Sequence, residues 1–396
     1  MQFLEKVKAR KTMIGIIGGV VLLAAVAVVL WFTVFSGEWI LKVNGHRVKL
    51  DEFNDLYYAQ ARTIVDNTNS EIDKFVENNP NSQIPPKKAY LNNEFLDSKI
   101  LYFKALDEGY ASNKDVKTLT EFNKYTIIMR FYMLSKFKNK VAISSKEISD
   151  EYQKHKAELK NAPIEQAEAQ LRNYLTQKKI EAEQKKKIAE LENAAKIDRN
   201  EDLINKISDP DKAKRPTSGT LVKISGKKID TKEITVEYFN DLYYQQIKSL
   251  MNATESEIDK AASDPNIVAS NPFINKKNFL DQMIQLYLFS EDARNEGMLA
   301  QKDLIALINS NNEQITYLYF LKDRYAKEAA PTDQEVSEQY EQYKGKLPPN
   351  MLPDQAIMMI RSRIEQQKLS KKVGELLSDL KDRWTIEKNI DVLDKK

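Results

Sequence analysis

The sequence predicts a mainly helical chain: an N-terminal transmembrane helix, then two homologous helical domains in tandem, each opened by a short β-hairpin. Three observations carry this reading. The hexapeptide Phe53-Asn54-Asp55-Leu56-Tyr57-Tyr58 returns as Phe239-Asn240-Asp241-Leu242-Tyr243-Tyr244, an offset of 186 residues. Glycine is scarce, at 11 in 396 residues, and the long segments are rich in Ala, Leu, Glu, Lys and Gln, which favour helix. Met13 to Phe35 is an unbroken apolar run of about 23 residues, and about 20 cross a bilayer as a helix.

That run is longer than the roughly 7–15 residues of a cleavable signal peptide, and it ends in the interface-seeking Trp31, Phe32 and Phe35. It reads as an uncleaved signal anchor. Lys6, Lys8, Arg10 and Lys11 precede it against Glu5, which places residues 1–12 in the cytoplasm and residues 36–396 on the periplasmic or extracytoplasmic side of the cytoplasmic (inner) membrane. These twelve residues account for the whole net charge of +3, so the body is neutral and offers no electrostatic case for nucleic acid. The lipid bilayer is an expected partner through residues 13–35.

Each copy starts with β-prone residues around a turn, Asn44-Gly45 in the first and Ser225-Gly226 in the second. The hexapeptide then begins a helix, with Phe53, Leu56 and Tyr57 on one face. A proline-containing loop follows, with Pro80, Pro85 and Pro86 matched by Pro265 and Pro272. Further matches keep their order: Ser70 to Asp73 with Ser256 to Asp259, Phe95-Leu96-Asp97 with Phe279-Leu280-Asp281, and Glu108-Gly109 with Glu296-Gly297. Ser144-x-x-Glu147 and Thr332-x-x-Glu335 are capping boxes that start equivalent helices. Long helices follow over 166–197 and 356–380. Trp384-Thr385-Ile386 aligns with Ala195-Lys196-Ile197 as a closing strand in each copy. The turn-rich segment 208–219 separates the copies, giving domains over 36–207 and 220–396. Whether the first copy's final helix packs on its own domain or the other is left open.

The chain has no cysteine and two histidines, His46 and His155, neither repeated in the other copy. No nucleophile elbow, P-loop, HExxH or dinucleotide fingerprint is present, so no catalytic residue, cofactor or metal is expected. The segments Tyr125 to Phe137 and Ile315 to Tyr325 are apolar nearly all round. Two readings stay open for them: the centre of a helix bundle, or a Met- and aromatic-lined surface for unfolded chains.

The order of the motifs resembles the N-terminal chaperone domain of the SurA/PpiD/PrsA family of extracytoplasmic folding factors. Val43-Asn44-Gly45 with Val48 and Phe53, and Glu147-Ile148 with Glu151-Tyr152, carry the likeness, as do Ile224-Ser225-Gly226 and Glu335-Val336 with Tyr340. The anchored layout is most similar to the PpiD branch. A parvulin prolyl isomerase domain, common in that family, has no room between Tyr152 and the long helix, nor after Tyr340. The resemblance therefore implies an ATP-independent holdase, not an enzyme, with unfolded or newly translocated envelope proteins as clients and the secretion machinery as a further partner. Expected client contacts are Tyr57, Tyr58, Met129, Phe131, Tyr132, Tyr243, Tyr244, Tyr319 and Phe320. The rival expectation is a membrane-fixed scaffold for one folded partner.

Overall fold

The computed structural model describes residues 38–393 apart from 66, 138–140, 157–162, 210, 252 and 347–352. The expected anchor, residues 13–35, lies outside the described residues, and no helix among those described is long and apolar enough to cross a membrane.

The chain begins with strands β1 (Trp39–Val43) and β2 (His46–Lys49), joined by Asn44 and Gly45 at φ 47° and 86°. Two successive positive φ values are what a tight hairpin turn needs, and Asn-Gly supplies them with least strain. Helix α1 (Leu50–Ile64) buries Phe53, Leu56, Tyr57 and Ala61 along one stripe. Helix α2 (Asn69–Asn78) is capped by Thr68 and Glu71. Helix α3 (Leu96–Asp107) is entered through the helical turn Lys87–Tyr90 and a π-helical turn, Leu91–Phe95. Gly109, at φ 83°, then turns the chain into the long α4 (Lys114–Phe137). A helical hairpin, α5 (Ser145–His155) and α6 (Ile164–Ala194), leads to β3 (Lys196–Arg199).

The second half repeats the plan: β4 (Thr220–Gly226), β5 (Ile229–Thr235), α7 (Val236–Met251), α8 (Glu255–Ala262), α9 (Lys276–Asn295), α10 (Lys302–Ala329), α11 (Asp333–Tyr343), α12 (Pro353–Arg383) and β6 (Ile386–Lys388). The two expected capping boxes form, at Ser144 and Thr332, and two further ones stand at Thr68 and Thr254. The second hairpin turns at 227–228 rather than at the expected Ser225-Gly226. Both of its strands are longer than their counterparts, which absorbs the extra residues before the second hexapeptide.

The tertiary arrangement departs from two domains in tandem. Each sheet is closed by a strand from the other half: the orders are β2-β1-β6 and β3-β4-β5, all antiparallel. The cores are shared in the same way. Core I joins β1, α1 and α3 of the first half to Phe320 and Leu321 of α10 and Leu376 and Leu380 of α12. Core II joins β4, α7 and α9 of the second half to Phe122, Ile128, Tyr132 and Met133 of α4 and Leu191 of α6. The segment 208–219 thus divides the sequence, but neither 36–207 nor 220–396 holds a whole core. The apolar stretches 125–137 and 315–325 lie at the crossing, α4 and α10 packing against each other as well as in the opposite core. The near ends of the long helices form two smaller clusters: Ile148, Tyr152 and Leu171 between α5 and α6, and Val336, Ile360 and Ile364 between α11 and α12.

Structural equivalence also corrects one sequence match. The carbonyls of Pro85 and Ile274 accept from Tyr57 and Tyr243, and Lys87 and Lys276 face Tyr58 and Tyr244, so the register here is 189. After the π turn it is 188, where Glu108–Arg324 and Glu296–Lys136 are equivalent ion pairs. The Phe95-Leu96-Asp97 match at 184 is therefore about one helical turn out. The π turn is the single extra residue of the first half, and a π turn admits one residue without ending its helix.

Candidate functional site

The residues expected to face clients are mostly interior. Tyr57, Tyr58, Tyr132, Tyr243 and Phe320 are buried, while Met129, Phe131 and Tyr244 are half-buried against core II and Tyr319 is half-buried. Their polar atoms are satisfied within the chain. Tyr57 donates to Pro85 O (2.8 Å), Tyr132 to Asp292 (2.7 Å), Tyr243 to Ile274 O (2.5 Å) and Tyr319 to Asp115 (2.6 Å). An aromatic position repeated in both halves marks what both cores need, and large rings supply the most burial per residue.

The repeated motifs build one device twice. Tyr58 donates to Asp73 at 2.7 Å, with Lys87 Nζ bonded to the phenol oxygen and 3.3 Å from the carboxylate. Tyr244 donates to Asp259 at 2.8 Å, with Lys276 3.2 Å, Arg215 2.8 Å and Lys212 3.2 Å from that carboxylate. Burial works against the Asp259 charge, but the bonds from Arg215 and Tyr244 outweigh it and hold the carboxyl down at about 2. Burial first, and then the aspartates, push the phenols of Tyr58 and Tyr244 up. A phenol so raised is no nucleophile. The device clamps the middle of α2 or α8 to α1 or α7, a positioning role.

Charge reaches the interior at one further place. Lys99 of α3 is buried, and its Nζ lies 2.7 Å from Glu313 of α10 and also bonds Glu52. Burial pulls this ammonium down, but Glu313 and Glu52 outweigh it and keep it above its ordinary value; burial raises Glu313. Cavities of about 320 and 430 Å³ flank this triad and share Glu52, Asn309 and Glu313.

The feature best suited to a ligand is the groove at the proline loop. About 630 Å³ in volume, it lies where α1 ends against α2, with Ile64, Phe75, Pro80 and Ile84 as apolar lining and Asn78, Asn79, Asn81, Ser82 and Gln83 around them. Ile64 is 44% exposed at its mouth. No lining residue is charged, in a chain that is 30% charged. The sequence signal is legible in retrospect, since residues 78–86 (NNPNSQIPP) are nine consecutive uncharged residues. Neither histidine lines the groove. His46 stacks on Phe103 and bonds Asp107 at 3.0 Å, and His155 lies 3.5 Å from Glu151. Among the described residues no group of His, Asp and Glu is placed to hold a metal ion. Comparison with protein-family models, curated proteins and solved structures finds no match to this chain.

Proposed function

We propose that the protein is a membrane-anchored, ATP-independent holdase for unfolded or newly translocated proteins on the extracytoplasmic side, related in kind to the SurA/PpiD/PrsA folding factors. The uncharged groove carries this reading. An apolar lining ringed by amides and a hydroxyl takes an apolar segment by burial and its backbone by hydrogen bonds, without demanding a particular sequence. Such a site holds chains without chemistry, in keeping with a sequence that lacks a catalytic signature. The anchor over 13–35 keeps the body at the membrane where clients emerge, and protease protection of the body in sealed vesicles checks that orientation.

The test is light scattering of a chemically unfolded envelope protein with full-length protein in nanodiscs. Suppression near stoichiometric ratio without ATP is expected. Ile64→Lys with Gln83→Glu, both at exposed positions, is expected to raise the amount needed several-fold with an unchanged melting temperature. Equal suppression by this variant would remove the groove as the site. No suppression of any client would leave the scaffold reading in its place.

A further inference from the structure

Because the halves are built alike, each long helix has two cores that it could enter. Tyr132 of α4 and Phe320 of α10 are equivalent, and each is buried in the opposite half's core. The hinges do not distinguish the two choices. Gly109 and Gly297 have φ 83° and 72°, and each is followed by a three-residue 3₁₀ turn.

The side chains do distinguish them. Along α10 three acids meet donors of the first half: Asp303 with Arg62 at 2.6 Å, Glu313 with Lys99 at 2.7 Å and Asp323 with Tyr110 at 2.5 Å. In register, α4 carries Asp115, Tyr125 and Ser135 at these places. The equivalents of Lys99, Tyr110 and Glu52 in the second half are Tyr287, Met298 and Tyr238. Tyr125 meets Tyr287 edge to face at 6.1 Å, so one shared position is ionic in core I and aromatic in core II. In core II the nearby charges, Lys232 and Glu121, pair at the rim at 3.1 Å, and neither stands at the position of Lys99 or Glu313. The π turn that adds the first half's extra residue lies just before Lys99.

We infer that the Glu52–Lys99–Glu313 triad is an address, directing α10 into core I and keeping α4 out, with Tyr125–Tyr287 as its aromatic counterpart. A buried ion pair adds little net stability, because desolvation offsets its attraction, but a buried charge left without its partner is heavily penalised. Placing α4 in core I would set Tyr125 against Lys99 in place of Glu313 and leave that buried ammonium with the half-exposed Glu52 alone. Placing α10 in core II would bring Glu313 to Tyr287, where Lys232, paired with Glu121 of α4 at 3.1 Å, lies nearer the surface, so the cost rests mainly on Lys99. The cost falls on the wrong assembly, which is how a paired charge selects a partner. The triad thereby fixes the reciprocal exchange that closes both sheets.

The absence of cysteine makes the exchange readable by cross-linking. Lys42 of β1 is the Cα partner of Glu387 of β6, and Asp198 of β3 is the equivalent of Glu387. In the full-length protein, Lys42→Cys/Glu387→Cys is expected to oxidise within one chain, and Lys42→Cys/Asp198→Cys is not. Glu52→Tyr/Lys99→Tyr/Glu313→Tyr, which copies the aromatic set of core II, is expected to let the second pair cross-link in a sizeable fraction of molecules. Exclusive use of the first pair by this variant would overturn the address. Should the triple variant fail to fold, Glu313→Lys alone is expected to lose the 42–387 cross-link and Lys99→Glu/Glu313→Lys to restore it. Failure of the reversed pair to restore it overturns the inference equally.

Discussion

Removing residues 384–393 would shorten the chain at its C-terminus, yet the damage is expected at its other end. This segment contains β6, which pairs Ile386, Glu387 and Lys388 with Val43, Lys42 and Leu41. Around that ladder, Asn44 N donates to Thr385 O (2.9 Å), Asn389 N to Ile40 O (3.0 Å) and Asn389 Nδ2 to Trp39 O (3.1 Å). At about 1 kcal/mol each, these three bonds contribute roughly 3 kcal/mol. Val392, buried in core I, adds about 2 kcal/mol, and the partly buried Trp384, Ile386 and Ile390 add a further increment of similar order. The sum, about 5–8 kcal/mol, is a large part of the roughly 5–15 kcal/mol that stabilises a typical domain. Hydrogen–deuterium exchange resolved by peptide is the assay. Protection is expected to collapse over 39–61 and to persist over 220–247, although the deleted residues belong to the second copy by sequence. Loss confined to 220–393, or spread equally over both sheets, would refute the shared-core account.

Other outcomes follow from the same geometry. Co-expressed fragments 36–207 and 208–396 are expected to co-purify and melt as one species, while either alone exposes half of two cores; stable, separately folded fragments would contradict this. Asp259→Asn leaves the buried Lys276 without its anion and is expected to cost about 3–5 kcal/mol in a denaturant titration. The twin change Asp73→Asn, where carboxylate and Lys87 are more exposed, is expected to cost about 1 kcal/mol. Because Asp259 is depressed to about 2, its contribution is complete above about pH 4 and is lost as pH falls through 2. That depression corresponds to on the order of 2 kcal/mol. The wild-type loss of melting temperature between pH 5 and pH 2.5 is expected to shrink in Asp259→Asn. Tyr58→Phe removes the bond to Asp73 and is expected to lose about 1 kcal/mol, with client holding unchanged.

Much of the fold is decided by sequence-local physics. The apolar stripe of the hexapeptide helix, the capping boxes at Ser144 and Thr332 and the Asn44-Gly45 turn are fixed by residues a few positions apart, and each forms where the pattern puts it, while the closing strands begin one and two residues later than expected. The duplication itself is legible for the same reason. What the sequence alone could not determine is which copy of a repeated surface meets which. Tyr125 and Glu313 occupy equivalent places on helices of similar composition, and only folding shows that one meets Tyr287 and the other Lys99. Burial is likewise a tertiary property: an aromatic run such as Tyr57-Tyr58 suits a client surface or a core equally until Asp73 of α2, Pro85, Lys87 and Tyr90 close over it. The groove escaped notice because its signal is a lack of charge in a loop, and a volume exists only once α1 and α2 bring Ile64 and Phe75 to face that loop. Neighbouring residues along the chain settled the elements, whereas the exchange of helices between two similarly built cores brings together side chains more than 200 positions apart, such as Lys99 and Glu313.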